Sequence, residues 1–179
     1  MGNPRVEEAT ESELWEEIAA RHEPGESMSS TLHVINRMRP YLAGGRVQEH
    51  LYALLVDTRY VPIGEPELIA IGTLNQVESK PRDIFRLAIT RNALGVFLAH
   101  NHPSDQHTPS QADIDFTALV MLMGEVLGVQ VFDSLVITDH GFTSIGELIS
   151  SGKAKPSDRA AAALAAMVNG KAVKEIETQ

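Results

Sequence analysis

The amino-acid sequence predicts an α/β (mixed α+β) domain over residues 31–149, with helical extensions on either side. Short apolar runs, Leu51–Val56 and Gly95–Ala99, have the length and content of buried strands. Between them lie segments with apolar residues at helical spacing, opened by Ser or Pro and closed by Gly or Asn. A chain of 179 residues suits one such domain and is long enough to bury a real core.

Each element has its own signal. Thr10-Glu11-Ser12-Glu13 has capping-box spacing ahead of a short amphipathic stretch, Glu13–Arg21, and Glu23–Ser27 breaks it. Residues 1–30 therefore form an N-terminal helical extension and linker. A helix starts near Ser29 or Ser30, with Leu32, Ile35, Met38 and Leu42 on one face and Pro40 disturbing its last turn. Glu49–Asp57 is a strand, Thr58-Arg59-Tyr60 a turn, and Leu68–Leu74 a second strand returning beside it. Pro81 sits in the tolerated first turn of a helix reaching about Asn92, its buried side drawn from Ile84, Phe85, Leu87, Ala88 and Ile89. After the Gly95–Ala99 strand, a helix runs to Leu127, packed through Ile114, Phe116, Leu119, Met123 and Val126 and ended by Gly128. Val129–Thr138 and Phe142–Ser144 close the sheet around an Asp139-His140-Gly141 turn. Residues 150–179 are a polar linker followed by an alanine-rich helix and tail. The narrow apolar face of that helix (Leu164, Met167, Val168) fits docking on the domain or on a second copy, so a homodimer stays open.

Composition narrows the function. A net charge of −9 and a pI near 5.2 weigh against general binding to a phosphate backbone, which needs clustered Lys and Arg. The densest basic group, Lys80, Arg82, Arg86 and Arg91, decorates one exposed helix. No apolar run is long enough to span a bilayer, and the acidic opening lacks the form of a secretory signal, so a cytoplasmic protein is expected. Zero cysteines exclude disulfides and thiolate metal sites.

The chemistry concentrates in His100–Asp113, His-Asn-His-Pro-Ser-Asp-Gln-His-Thr-Pro-Ser-Gln-Ala-Asp. Side chains of extended backbone repeat with period two, so His100 and His102 can point to the same side. Asp113 falls in the first turn of the next helix. Two imidazoles and a carboxylate make three ligands with a fourth position open, the arrangement a catalytic zinc requires. Iron, manganese and nickel accept the same donors. Ser110 and Asp113 also have close to capping-box spacing, a structural account compatible with the chemical one.

His-x-His, seven residues, then Ser-x-x-Asp resembles the metalloprotease signature of the JAB/MPN (JAMM) superfamily. Ala99–Ser104 and Thr108-Pro109-Ser110 are similar to its RadC-like branch, and the likeness runs from about Thr31 to Ile149. The resemblance implies a cytidine-deaminase-like sheet flanked by helices. It implies one Zn2+ on His100, His102 and Asp113, Ser110 stabilising the transition state, and Glu49 as general base. By itself Glu49 reads as an exposed charge at a strand edge. The implied activity is hydrolysis of a peptide or isopeptide bond; superfamily members that remove ubiquitin suggest a ubiquitin-like tail as one substrate.

Two features depart from the family. Residues 1–45 lack the helix-hairpin-helix-like region of longer RadC-like proteins, and Asp133-Ser134 stands where many relatives have Asp-His. A non-catalytic MPN scaffold and a DNA-repair role are the rival readings. The retained ligands weigh against the first, the acidic charge against the second. His107 lies in the site loop within reach of a substrate, His50 points away from Glu49, and His22, His33 and His140 read as surface residues. Asp105 supports the turn, and Asn101 faces away from the two ligands and can hold the loop.

Overall fold

A computed structural model describes residues 26–72 and 81–169. The helix expected at Glu13–Arg21 lies outside them, as do Asn75–Lys80 and the last residues of the tail. The described elements are α1 (Thr31–Leu42), β1 (His50–Val56), β2 (Glu67–Ile71), α2 (Pro81–Thr90) and β3 (Gly95–His100), followed by α3 (Gln111–Leu127), β4 (Gln130–Ile137), β5 (Phe142–Ser144), α4 (Ile145–Ser150) and α5 (Asp158–Val168). The strands form one mixed sheet in the order β2-β1-β3-β4-β5. Its β1–β2, β1–β3 and β4–β5 pairs are antiparallel, and β3–β4 is parallel, as a crossover through α3 requires.

Strand periodicity sorts the core into two layers. Leu54, Val56, Phe97, Ala99, Leu135 and Ile137 face Val34, Ile35, Met38 and Leu42 of α1. Leu51, Ala53, Leu55, Val96 and Leu98 face Ile84, Phe85 and Ala88 of α2 and Val120 of α3. All six residues of β3 are buried, because the strand is central and covered on both faces. Val96, Leu98 and His100 share one side by alternation, so the end of β3 delivers His100 towards α3.

Several details differ from the sequence expectation. Val126 and Ile89 are exposed, at 79% and 56%, and Leu32 is also largely in solvent. Of the residues expected to pack α3, Ile114 is buried and Phe116 and Met123 lie against the core, while its buried line also takes in Asp113, Thr117, Val120 and Gly124. That helix is apolar on most sides, so hydrophobic spacing alone identified the inner one only in part. Close packing fixes it: a Cβ on Gly124 would meet the Val129 carbonyl at 2.5 Å. The first helix accommodates Pro40 and continues to Leu42. No residue of α5 is buried; it is tied down where Ser157 Oγ and N–H donate to Asp115, at 2.6 and 2.7 Å.

The short helix α4 was not anticipated, although Ser144 and Glu147 have capping-box spacing. Ser144 caps it, and Asp133 of β4 receives hydrogen bonds from Gly146 N–H, Ser144 Oγ and Ser134 N–H at its start. A side chain at Gly146 would collide with Asp133 Oδ1 at 2.6 Å. Burial raises the Asp133 carboxyl above its ordinary 3.8 despite those donors. The folded state then holds this proton more tightly than the unfolded chain does. The charged form costs stability at neutral pH, and the cost is relieved as pH falls through the raised value towards 3.8. Against non-titrating Asp133→Asn, the wild type is expected to gain relative stability on acidification, measured by urea unfolding across that range. A constant difference would contradict the assignment.

Candidate metal centre

The carboxyl end of β3 and the amino end of α3 meet at one point, the place where open α/β sheets bind ligands. His100 is the last residue of β3 and is paired on both sides, with Leu51 of β1 and Val136 of β4. The chain then leaves the sheet, and His102 follows on the same side. Ser110 ends the loop as the N-cap of α3, with its side chain accepting from Asp113 N–H at 3.2 Å. Asp113 completes the capping box by accepting from Ser110 N–H at 2.7 Å. The local signal Ser-x-x-Asp therefore acts as a helix start, and that start aims the carboxylate at the histidines.

Donor atoms of His100, His102 and Asp113 all lie within 4.8 Å of one another, a group that could hold a metal ion. The two Nε2 atoms are 3.1 Å apart; His100 Nε2 is 3.4 Å from Asp113 Oδ1, and His102 Nε2 is 3.3 Å from Oδ2. The edge of a tetrahedron with metal–ligand bonds near 2.0–2.1 Å is about 3.3 Å. Each of these contacts is near that edge length, with the two imidazoles facing different oxygens of the carboxylate. His102 Nδ1 lies 2.7 Å from the Gln106 carbonyl, which can only accept, so Nδ1 carries a proton; Nε2 then presents a lone pair when the ring is neutral and donates to Asp113 when it is protonated.

Electrostatics favour a cation here. His100 and Asp113 are 1% and 3% exposed, and a buried carboxylate requires compensation. Burial alone would raise the Asp113 carboxyl. Hydrogen bonds from His100 and His102, the His100 charge and the Ser110 hydroxyl together hold it well below the usual carboxylate range. The hydrogen bond to Asp113 raises the His102 ring against its own burial, helped by the Gln106 carbonyl and the charges of Asp113 and Glu49. Glu49 is therefore close enough to act on His102 through its field.

Glu49 is fixed by its neighbours. The β1–β3 ladder ends at Leu51 and His100, and one residue further the Asn101 carboxamide takes over. Its Oδ1 accepts from His50 N–H at 2.8 Å and its Nδ2 donates to the Gln48 carbonyl at 3.0 Å, bracketing Glu49. Gly72 N–H donates to the Glu49 carbonyl from the other side at 2.8 Å. Asn101 does hold a loop, as its alternation suggested, but the loop is the one carrying Glu49. That contact spans 51 residues and has no local signature.

Ser110 Oγ donates to Asp113 Oδ2 at 2.7 Å, so its one proton is directed at the ligand carboxylate. His107 packs over Gly141 and bonds Thr143 Oγ1 at 2.9 Å, tethering the site loop to β5. Asp105 accepts from Asp139 N–H and pairs with His140, at 2.9 and 3.2 Å, which makes it the turn support expected of it. Ser134 is buried beside Leu98, two residues before His100 on the same face, about 6.6 Å along the strand.

Comparison with known proteins agrees with this geometry. The family model described as "RadC-like JAB domain" matches residues 28–152, well over half of the chain. The chain is similar to a UPF0758 protein of Desulforamulus reducens, 43% identical over 98 residues, covering 55% of this chain and 43% of the relative. A UPF0758 protein of Carboxydothermus hydrogenoformans is 38% identical over 112 residues, covering 63% and 49%. One from Enterococcus faecalis is 37% identical over 120 residues, covering 67% and 51%. The chain spans about half the length of the curated relatives it matches, or somewhat less.

Asn101→Ala removes both brackets around Glu49 and leaves two backbone groups without their partner. A loss of about 1–3 kcal/mol in unfolding free energy is expected. Faster hydrogen exchange at the His50 amide should accompany it. Unchanged exchange there would show that Asn101 does not hold this segment.

Proposed function

The chain belongs to the RadC-like JAB domain family, and from that premise we propose that it is a zinc-dependent metallopeptidase acting on peptide or isopeptide bonds. One observation carries the reading: two imidazoles and a carboxylate gathered at the end of β3, with donor atoms all within 4.8 Å of one another. The donor set fits zinc in kind, since imidazole nitrogen and carboxylate oxygen are both zinc ligands. His100 Nε2, His102 Nε2 and Asp113 would hold the ion. When bound, zinc supplies Lewis acidity that polarises a carbonyl and makes water easier to deprotonate.

The protein's own residues divide the remaining work. Gln106 orients His102 through Nδ1, and Ser110 orients Asp113, so two of the three ligands are aimed before any ion arrives. Glu49 is proposed as the general base. Its carboxylate takes a proton from the attacking water and passes it to the departing amine, a role supported by the effect of its charge on His102. Ser110 is proposed to donate to the developing oxyanion, which requires its proton to turn from Asp113 Oδ2 to the substrate oxygen. The substrate is a peptide or protein segment presented at the mouth of the sheet. Among the described residues no helix is long and apolar enough to cross a membrane.

Glu49→Gln keeps the size of the side chain and removes the base. Peptide hydrolysis by this variant is expected to fall roughly 100- to 10,000-fold, with zinc content unchanged. Chromogenic or mass-spectrometric assay of a peptide library, with metal analysis on the same samples, checks this. Equal turnover by wild type and variant would remove Glu49 from the mechanism.

A further inference from the structure

Of the three candidate ligands, His102 alone stands on neither a strand nor a helix. His100 ends β3 and Asp113 lies in the first turn of α3, whereas His102 sits on the loop between them. One backbone group aims its ring, the Gln106 carbonyl, 2.7 Å from Nδ1. That oxygen lies in the peptide plane joining Gln106 to His107, so its direction depends on what holds the residues on either side.

The loop has little means of its own to do so. Pro103 and Pro109 carry no backbone N–H, and the turn after His102 is closed by Asp105 N–H donating to the His102 carbonyl at 3.0 Å. Asp105 then takes left-handed backbone, with φ of 56°, a conformation that persists in a residue with a Cβ when its surroundings hold it. Among the described residues, the side-chain bonds that leave residues 103–109 for another element are those of Asp105 and His107. Both go to the hairpin formed by β4 and β5. Asp105 Oδ1 accepts from Asp139 N–H at 2.9 Å, and Oδ2 faces His140 Nε2 at 3.2 Å. His107 Nδ1 shares a hydrogen bond with Thr143 Oγ1 at 2.9 Å, and a Cβ on Gly141 would come within 2.7 Å of its ring. The hairpin is itself secured. Thr138 N–H and Oγ1 both donate to the Gly141 carbonyl, and the Asp139 carboxylate accepts from Gly44 N–H and Gly45 N–H at 2.8 and 3.2 Å.

We propose that Asp105 and His107 are positioning residues for His102, holding the Gln106 carbonyl on Nδ1 from either side by their bonds to the β4–β5 hairpin. The neutral ring then keeps its proton on Nδ1 and its lone pair on Nε2. Released from the hairpin, the Gln106 peptide can turn, the proton can move to Nε2, and the donor is withdrawn from the cluster. This deepens the metal-centre reading and rests on it: one ligand is aimed from β5, 36 residues along the chain from the loop.

The test follows the His102 ring by imidazole nitrogen NMR in metal-free protein, at a pH where the ring is neutral, and zinc affinity by titration against a competing chelator. The wild type should show the Nδ1–H form. His107→Ala and Thr143→Val should each let the Nε2–H form appear and weaken zinc binding roughly tenfold, the lower end of what ligand-orienting groups contribute. Asp105→Gly, which eases the left-handed backbone but lacks the carboxylate, should do the same. His107→Asn, whose amide can replace Nδ1 as the partner of Thr143, should restore both readouts. An unchanged ring and zinc affinity in these variants would overturn the proposal while leaving the metal centre intact. A loss that His107→Asn does not restore would overturn it too, as a general disturbance of the loop. If the ring responds as stated but the wild type takes up no zinc, the positioning role stands and the metallopeptidase reading falls.

Discussion

The structure turns on a carboxylate that has no business being buried unless something positive faces it. Asp113 is 3% exposed, and two imidazole nitrogens stand 3.3–3.4 Å from its oxygens. Removing such a charge from water costs several kcal/mol unless it is paired. Protons on the histidines can supply the pairing, and so can a metal ion, for which the three residues offer donor atoms within 4.8 Å of one another. Proton and metal compete for the same lone pairs. Much of the surrounding architecture serves to keep these groups close while leaving them that choice.

The sheet provides the means. A one-residue slip of this central strand would exchange its two close-packed faces and break its ladders on both sides, so the end of β3 is fixed. His100 inherits that fixity, and His102 receives its own from the Gln106 carbonyl. The parallel step from β3 to β4 requires a crossover, and α3 begins where β3 ends, which brings Asp113 to the histidines. Asn101 joins this assembly to the opening of β1. Its side chain continues the β1–β3 pairing by one residue after the backbone has left the sheet. Ligand pair and proposed base are thereby positioned by three consecutive residues.

Much of this was legible in the sequence where the signal is local. The strand ending in His-x-His, the capping-box spacing of Ser110 and Asp113, the Gly128 stop and the closing strands all rest on short-range rules, and the fold follows them. The buried side of α3 was legible only in part: Ile114, Phe116 and Met123 pack as read, and Val126 does not. That helix is apolar nearly all round, and its buried line includes Thr117 and the closely packed Gly124, residues a hydrophobic pattern passes over. Contacts between distant segments were equally hidden: Asn101 with Gln48 and His50, Asp139 with the Gly44-Gly45 turn, Asp133 with the start of α4. None has a spacing rule, because each is created only when the sheet brings separate loops together. Ser110 shows a subtler limit. Its spacing announced a cap and its family resemblance an oxyanion donor, and the coordinates put its proton on Asp113.

Zinc K-edge absorption with elemental analysis, on protein purified without chelator or metal-affinity tag, tests the central claim most directly. The account predicts about one zinc per chain, with two imidazole nitrogens at about 2.0–2.1 Å and oxygen completing four ligands, and loss of the ion in His102→Ala. Native protein that holds no metal and takes up none when zinc is added would contradict it, leaving the Asp113–histidine cluster a structural ion pair.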